Sequence, residues 1–211
     1  MPEPDGTGRE RPERIGLLGG TFDPPHVGHL EAALCCREVL GLDRVLLVVA
    51  NHPWQKVPGR AISPAADRLA MVEGAVDGLE GIEASRLEID RGGPSYTIDT
   101  VEELLGRARG LERPLPELFL VVGADLVDGL GTWERVDDLR RLVTLVVVSR
   151  PHSPAPEPPP GWRAVVVEGP GIDVSSSQVR AMVAERQSLK GVVPGPVIRC
   201  IQRRDLYAVP R

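Results

Sequence analysis

Short runs of apolar, mostly β-branched residues alternate along the chain with longer stretches in which apolar residues recur every three or four positions. The short runs have the length and composition of strands, and the longer stretches have the period of amphipathic helices. This alternation is typical of parallel strands joined by crossover helices. It predicts an α/β fold with a doubly wound, Rossmann-like parallel sheet. The predicted strands cover residues 14–19, 44–50, 83–89, 117–122, 143–149 and 163–168, with 83–89 at an edge.

Helix signals separate the predicted strands. Residues 26–40 carry an apolar stripe that ends at Gly41, a residue type common at helix C-termini. For the helix predicted at residues 64–76, we expect Ser63 to cap the N-terminus and Pro64 to occupy the first helical position. The remaining predicted helices cover residues 97–109, 175–186 and 195–203.

Composition limits the architecture. The chain has 211 residues, of which 42% are hydrophobic and 26% are charged, as in ordinary globular proteins. We expect one domain over residues 14–211, preceded at 1–13 by a disordered leader that lacks the apolar core of a secretory signal. The proline-rich segment 150–162 is expected to be a surface loop. These features predict a cytoplasmic protein, and the longest apolar runs are far too short to span a membrane.

Charge and cysteine content narrow the class of partner. The formal net charge is −5, whereas a general nucleic-acid binder needs a basic surface. An anionic substrate therefore has to meet a local positive site. The cysteines, Cys35, Cys36 and Cys200, fit neither a disulfide framework nor a metal-ligand spacing, so we expect reduced thiols.

The first candidate site follows the first predicted strand, where ligands bind in sheets of this kind. Two glycines let a ligand approach the main chain, and the start of the next helix offers free N–H groups to a phosphate. His26 and His29 are three residues apart, so both imidazoles would face one anion. A metal site is the alternative, and it lacks a third ligand at a recognisable spacing. The segment reads Gly19-Gly20-Thr21-Phe22-Asp23-Pro24-Pro25-His26-Val27-Gly28-His29.

A second candidate site lies at the start of the helix predicted at residues 175–186. Ser175, Ser176 and Ser177 are followed within one turn by Arg180. Serine at a helix start can be an ordinary N-cap. Three hydroxyls beside a guanidinium fork also suit an anion.

Both segments resemble signatures of the nucleotidyltransferase superfamily. Residues 20–29 are similar, without a gap, to Gly-x-Phe-Asp-Pro-x-His-x-Gly-His. Residues 174–180 are similar to Ile-Ser-Ser-Thr-x-x-Arg, with Ser177 where threonine is common. Residues 51–56, 92–100 and 123–125, the last followed by Trp133, resemble the nicotinate-nucleotide adenylyltransferase family more narrowly.

The resemblance implies transfer of the AMP moiety of ATP to nicotinate mononucleotide, giving deamido-NAD and pyrophosphate in NAD biosynthesis. Mg²⁺ is expected to be carried by the triphosphate, because no carboxylate cluster indicates a protein site. The nearest alternative is another acceptor, such as nicotinamide mononucleotide or phosphopantetheine, and a non-catalytic nucleotide-binding regulator is a second. Neither nucleic acid nor a membrane is an expected partner, and a homo-oligomer is left open.

The implied site has an ATP half and an acceptor half. Catalytic roles fall to His26, His29, Lys56 and Arg180. The implied ATP contacts are Gly19, Gly20, Thr21, Phe22, His26, His29, Ser176, Ser177 and Arg180. The implied acceptor contacts are Lys56, Tyr96, Thr97, Gly123, Asp125 and Trp133.

The acceptor residues also allow structural interpretations. Lys56 could be an exposed charge rather than a mobile cation over a phosphate. Tyr96 and Thr97 could simply begin a helix, whose free amides also suit a carboxylate. Trp133 could belong to the core rather than stack on a pyridine ring. Asp125 ends a buried strand, where its carboxylate would need donors such as ribose hydroxyls.

Overall fold

The computed structural model describes residues 11–53, 62–149, 157–169 and 171–208, and within these ranges six parallel strands form one sheet. Their spatial order is β3-β2-β1-β4-β5-β6. This confirms the predicted doubly wound α/β fold, with the direction of winding reversed between β1 and β4. The strands are β1 (Arg14–Gly20), β2 (Arg44–Val49), β3 (Ile82–Ser85), β4 (Glu117–Gly123), β5 (Val143–Ser149) and β6 (Ala164–Glu168).

Helices cover both faces of the sheet. A 3-10 helix, Ala124–Thr132, follows β4 directly. The α-helices are α1 (Val27–Leu40), α2 (Ala65–Val76), α3 (Leu87–Arg91), α4 (Thr97–Gly110), α5 (Val136–Leu142), α6 (Ser176–Ala184) and α7 (Gly195–Arg203).

Successive residues of each strand enter different apolar layers, because strand side chains alternate between the faces of a sheet. Leu18 and Val121 belong to a layer that also contains buried residues of α1, α2, α6 and α7. Leu17 and Leu120 belong to the opposite layer, with buried residues of α4, α5 and the 3-10 helix. The two central strands are therefore buried on both sides, as their continuous apolar sequences predict.

The edge strand predicted at residues 83–89 is shorter than expected. β3 ends at Ser85, and α3 follows at Leu87–Arg91. A strand would point neighbouring Leu87 and Glu88 to opposite faces, whereas the helical turn buries both. There the Glu88 carboxylate accepts a hydrogen bond from Thr100 Oγ1 at 2.8 Å. This tertiary contact holds Glu88 in the helical turn that follows the strand.

The predicted start of α2 is wrong by one residue. Pro64 is the N-cap and Ala65 the first helical residue. Ser63 lies one residue before the N-cap; its side chain hydrogen-bonds with Tyr207, and its carbonyl oxygen accepts from Arg68 Nε at 2.9 Å. The short α5 and the glycine-containing 3-10 helix had no clear sequence signal and were not predicted.

The ends of the predicted domain are partly described. Arg11, which the sequence analysis places in the leader, donates to the Asp43 carboxylate, and Glu13 pairs with Arg44 at 2.8 Å. Residues 1–10 and 150–156 lie outside the described ranges. The single domain, the leader and the proline-rich loop stay predictions. None of the helices described is long and apolar enough to cross a membrane.

The layered core predicts unequal costs for one substitution at two paired positions. Val147 of β5 pairs with Val166 of β6, yet Val147 is 0% exposed and Val166 is 36% exposed. Val147→Ala removes two buried methyl groups and leaves a cavity, so we expect a loss of about 2 kcal/mol in the free energy of unfolding. Val166→Ala is the matched control and should cost less than about half as much. Urea denaturation of both variants measures the difference, and equal losses would contradict this burial.

Candidate active site

The turn after β1 leaves open space where a ligand could approach. A Cβ atom added to Gly19 would meet no atom of the described residues within 4 Å, whereas one on Gly20 would lie 3.0 Å from the Phe22 ring. Phe22 is buried and has φ 50°, in the left-handed region that side chains rarely adopt. Packing of the protein thus explains Gly20, and the space over Gly19 is free for a bound group.

The two histidines of the first motif form a stacked pair at the start of α1. Their ring centroids are 3.7 Å apart with an interplanar angle of 29°. The backbone N–H of His26 donates to His29 Nδ1 at 3.2 Å. A neutral His29 that accepts at Nδ1 carries its proton on Nε2, which makes Nε2 a donor.

Burial keeps both imidazoles neutral. Desolvation lowers the pKa of His26 to about 4. Desolvation, with a smaller repulsion from His26, lowers the pKa of His29 to about 3. His26 Nδ1 is buried and has no hydrogen-bond partner within the described part of the chain. At neutral pH the pair offers polar N–H groups rather than positive charge.

The second motif contacts the first across about 150 residues of sequence. Ser176 Oγ donates to the carbonyl oxygen of Pro24 at 2.8 Å. Arg180 Nη1 donates to the carbonyl oxygen of Asp23 at 2.7 Å, and Nη2 donates to Ser177 Oγ at 2.7 Å. Ser175 is the N-cap of α6 and accepts from the Gln178 backbone N–H at 3.2 Å. The capping role thus falls to Ser175, while Ser176 contacts the turn and Ser177 accepts from Arg180.

A buried polar cluster beneath the turn was missed by the sequence analysis. Asp23 is 2% exposed, and its carboxylate accepts a hydrogen bond from Tyr207 OH at 2.6 Å. Burial, followed by this hydrogen bond, raises the pKa of Tyr207. Arg68, which is 1% exposed, donates to the carbonyl oxygen of Thr21 at 2.8 Å. A charged residue on the apolar face of α2, beside Met71 and Val72, was the available signal for this cluster.

The carboxyl end of β4 lies beside the turn. Leu18 pairs with Val121, so two residues further along the strands Gly20 lies level with Gly123. Asp125 is exposed in the 3-10 helix, not at the end of a buried strand as predicted, because β4 ends at Gly123. A Cβ atom on Gly123 would lie 2.6 Å from Asp125 Oδ1. The glycine therefore gives this carboxylate room at the sheet edge.

The remaining acceptor residues lie on the α4 side of the sheet. Thr97 is the first residue of α4 and Tyr96 its N-cap, whose side chain makes no capping hydrogen bond. Tyr96 and Trp133 are both half-buried against the same apolar layer. Trp133 Nε1 is buried and has no partner among the described residues. Asp99 also lies in the first turn of α4, where its negative charge would repel the carboxylate of a ligand bound there.

Comparison with known proteins identifies the family. A model of the cytidylyltransferase-like family matches residues 17–182. A probable nicotinate-nucleotide adenylyltransferase of Thermus thermophilus is 44% identical over 194 residues, covering 92% of this chain and 99% of the relative. Another, of Methylibium petroleiphilum, is 42% identical over 207 residues and covers 94% of each chain. The chain belongs to the nicotinate-nucleotide adenylyltransferase family. This confirms the resemblance found in the sequence.

Solved structures agree at the level of the fold. The nicotinic acid mononucleotide adenylyltransferase of Plasmodium falciparum, in its complex with NaAD, superposes with a TM-score of 0.73 at 16% identity, covering 92% of this chain and 97% of that one. A putative nicotinate-nucleotide adenylyltransferase of Vibrio parahaemolyticus gives a TM-score of 0.66, also at 16% identity, covering 94% of this chain and 97% of that one. Identities this low support the shared fold alone.

The contacts described above include neither Lys56 nor a metal ion. Lys56 lies in residues 54–61, outside the described ranges. Within those ranges no group of three or more His, Cys, Asp or Glu side chains could hold a metal ion.

The neutral histidine pair predicts a specific pH dependence of stability. Both pKa values fall from 6.5, to about 4 and about 3, so below pH 6.5 the unfolded chain binds protons that the folded chain does not. The free energy of unfolding therefore decreases as the pH falls from 6.5 toward 4. In the variant with His26→Asn and His29→Asn, the decrease should be shallower by about 1 kcal/mol per pH unit for each histidine. Urea unfolding from about pH 7.5 to about pH 5 checks this, and parallel curves would contradict it.

Proposed function

We propose that the protein transfers AMP from ATP to nicotinate mononucleotide, forming deamido-NAD and pyrophosphate as a step of NAD biosynthesis. The observation that carries this proposal is the direct contact between the two phosphate motifs at the carboxyl end of β1. Ser176 and Arg180 bind the main chain of the turn that leads to the histidine pair. The relatives named above support adenylyl transfer at this place.

In the ATP half, the side chains supply hydrogen-bond donors around the open space over Gly19. His29 offers Nε2–H, whereas the backbone N–H groups of Val27 and His29 at the start of α1 already donate to the carbonyl oxygens of Val192 and His26. Arg180 supplies a permanent positive charge beside Ser177. Together these groups stabilise negative charge on the triphosphate and on the departing pyrophosphate.

The chemistry needs alignment more than proton transfer. The phosphate of the mononucleotide is already anionic at neutral pH, so it can attack the α-phosphorus in line without a general base. Histidines with pKa values lowered to about 4 and about 3 fit this requirement, because they are weak bases that still offer an N–H donor. Holding two reactants at the correct distance and angle then provides most of the rate enhancement.

The acceptor half lies across the sheet edge from the ATP half. Trp133 would stack on the pyridine ring, and the start of α4 at Tyr96 and Thr97 would bind its carboxylate. Asp125 would bind ribose hydroxyls beside Gly123. Lys56 would contact the phosphate of the acceptor as a cation.

A different phosphate acceptor is the second candidate function. Nicotinamide mononucleotide differs from nicotinate mononucleotide only in an amide, which Trp133 cannot distinguish by stacking. Asp99 favours this alternative, because its charge in the first turn of α4 opposes a carboxylate. ATP offered with each acceptor, with pyrophosphate release and product mass as readouts, separates the candidates.

Mg²⁺ is proposed to arrive with ATP. Triphosphate oxygens and water can supply its oxygen ligands, so the side-chain roles given above do not require a metal held by the protein. A cytoplasmic location is likewise proposed from the sequence.

His29→Ala tests the ATP half. Loss of one preorganised donor to developing charge should lower kcat by about 10²–10³-fold. His52→Ala is the matched control, since the His52 side chain is exposed and outside both motifs. Steady-state pyrophosphate release measures both variants after circular dichroism has verified their folds. A folded His29→Ala protein within about threefold of the wild type would contradict the assignment.

A comparison of nicotinate mononucleotide with nicotinamide mononucleotide as acceptors tests the acceptor half. An amide facing the donors of α4 leaves a mispaired polar group that costs roughly 1–3 kcal/mol, so kcat/KM should favour the acid by at least about tenfold. Trp133→Ala should lower kcat/KM for both acceptors by a similar factor. Thr97→Val should instead reduce the preference for the acid over the amide. Asp99→Asn should increase the preference for the acid, because it removes a negative charge that repels the nicotinate carboxylate. Equal use of both mononucleotides by the wild type would refute this model of the pocket and leave the ATP half unaffected.

A further inference from the structure

Arg68 is a buried arginine that binds three separate carbonyl oxygens. It lies on the apolar face of α2 and is 1% exposed. Nη1 donates to Thr21 at 2.8 Å, Nη2 donates to Asn51 at 3.1 Å, and Nε donates to Ser63 at 2.9 Å. These acceptors belong to the turn after β1, the segment after β2 and the approach to α2.

Asn51 continues this connection toward the acceptor half. Its backbone N–H donates to the hydroxyl of buried Ser95 at 2.8 Å, and its side-chain Nδ2 donates to the carbonyl oxygen of Gly93 at 3.0 Å. Two residues after Ser95, α4 begins at Thr97. A continuous path of hydrogen bonds thus runs from the ATP-binding turn through Arg68 and Asn51 to the start of α4.

We infer that Arg68 is a positioning residue that sets the distance between the ATP-binding turn and the acceptor-binding start of α4. This inference rests on the proposed function. Arg68 contacts neither reactant in this role; it acts through the main chain of Thr21 and Asn51. An in-line transfer depends steeply on the separation of its two reactants, so a small shift of one half against the other slows the reaction.

The guanidinium is the group that this position requires. Its N–H donors are spread over a rigid plane and reach three carbonyl oxygens at once, whereas a lysine ammonium is a compact point donor on a flexible stem. Burial of the cation is unfavourable and lowers the pKa of Arg68, while the Asp23 carboxylate opposes that shift. The charge is therefore retained in the interior because carbonyl dipoles and a nearby carboxylate surround it.

Arg68→Lys tests the inference, since it keeps the positive charge and loses the fork. We expect kcat to fall by roughly tenfold to a hundredfold, while the Kd of ATP alone and of nicotinate mononucleotide alone changes by less than about threefold. The matched control is Arg86→Lys, because Arg86 is exposed and binds only Asp90 in the described part of the chain. Calorimetric binding and steady-state kinetics measure the two quantities separately.

The outcomes separate this inference from the function on which it rests. If the wild type fails to form deamido-NAD, the proposed function is wrong. If the wild type is active and Arg68→Lys retains more than about half of its kcat, or loses affinity for a single substrate as strongly as it loses kcat, the positioning role is wrong.

Ser95→Ala keeps the test decisive should Arg68→Lys fail to fold. It removes the acceptor of the Asn51 backbone N–H at the far end of the path and should likewise lower kcat more than substrate affinity. Where both variants fold, the double variant should lose less activity than the product of the two single losses, because both act through Asn51. A purely multiplicative loss, or an unaltered kcat in Ser95→Ala, would overturn the connection.

Discussion

The turn after β1 can offer its amides to a phosphate only if its carbonyl oxygens find donors inside the protein. A buried carbonyl without a partner costs free energy comparable to a lost hydrogen bond. Arg68, Arg180 and Ser176 supply the donors, to Thr21, Asp23 and Pro24 respectively. The rest of the site depends on this arrangement, because α2 and α6, which lie far apart in the sequence, must both reach the turn for it to hold its shape.

The same arrangement divides the site between the two faces of the sheet. The histidine helix and α6 pack in one layer, and Trp133 and the start of α4 pack in the other. The two halves meet at the carboxyl ends of β1 and β4, where the direction of winding reverses. Each proposed substrate thus has a separate rigid support, and only contacts across the edge can align them.

Electrostatics at this edge depends on arginine and main-chain dipoles more than on imidazolium. Burial holds His26 and His29 neutral, so in the proposed ATP site they would contribute N–H groups rather than charge. Arg180 keeps its charge at any physiological pH. The positive charge of such a site comes from arginine and therefore does not depend on protonation of the two histidines.

The sequence by itself determined the α/β class, the position of most strands, the two phosphate motifs and the family, because these depend on local periodicity and on residues close together in the chain. It did not predict α3, the exposed position of Asp125 or the role of Arg68. Buried Glu88 accepts from Thr100 and lies 3.9 Å from Arg91, and buried Arg68 binds three carbonyl oxygens, two of them in the segments after β1 and β2. Partners of this kind come from remote segments, so only the tertiary structure decided which polar residues could be buried and what they hold in place.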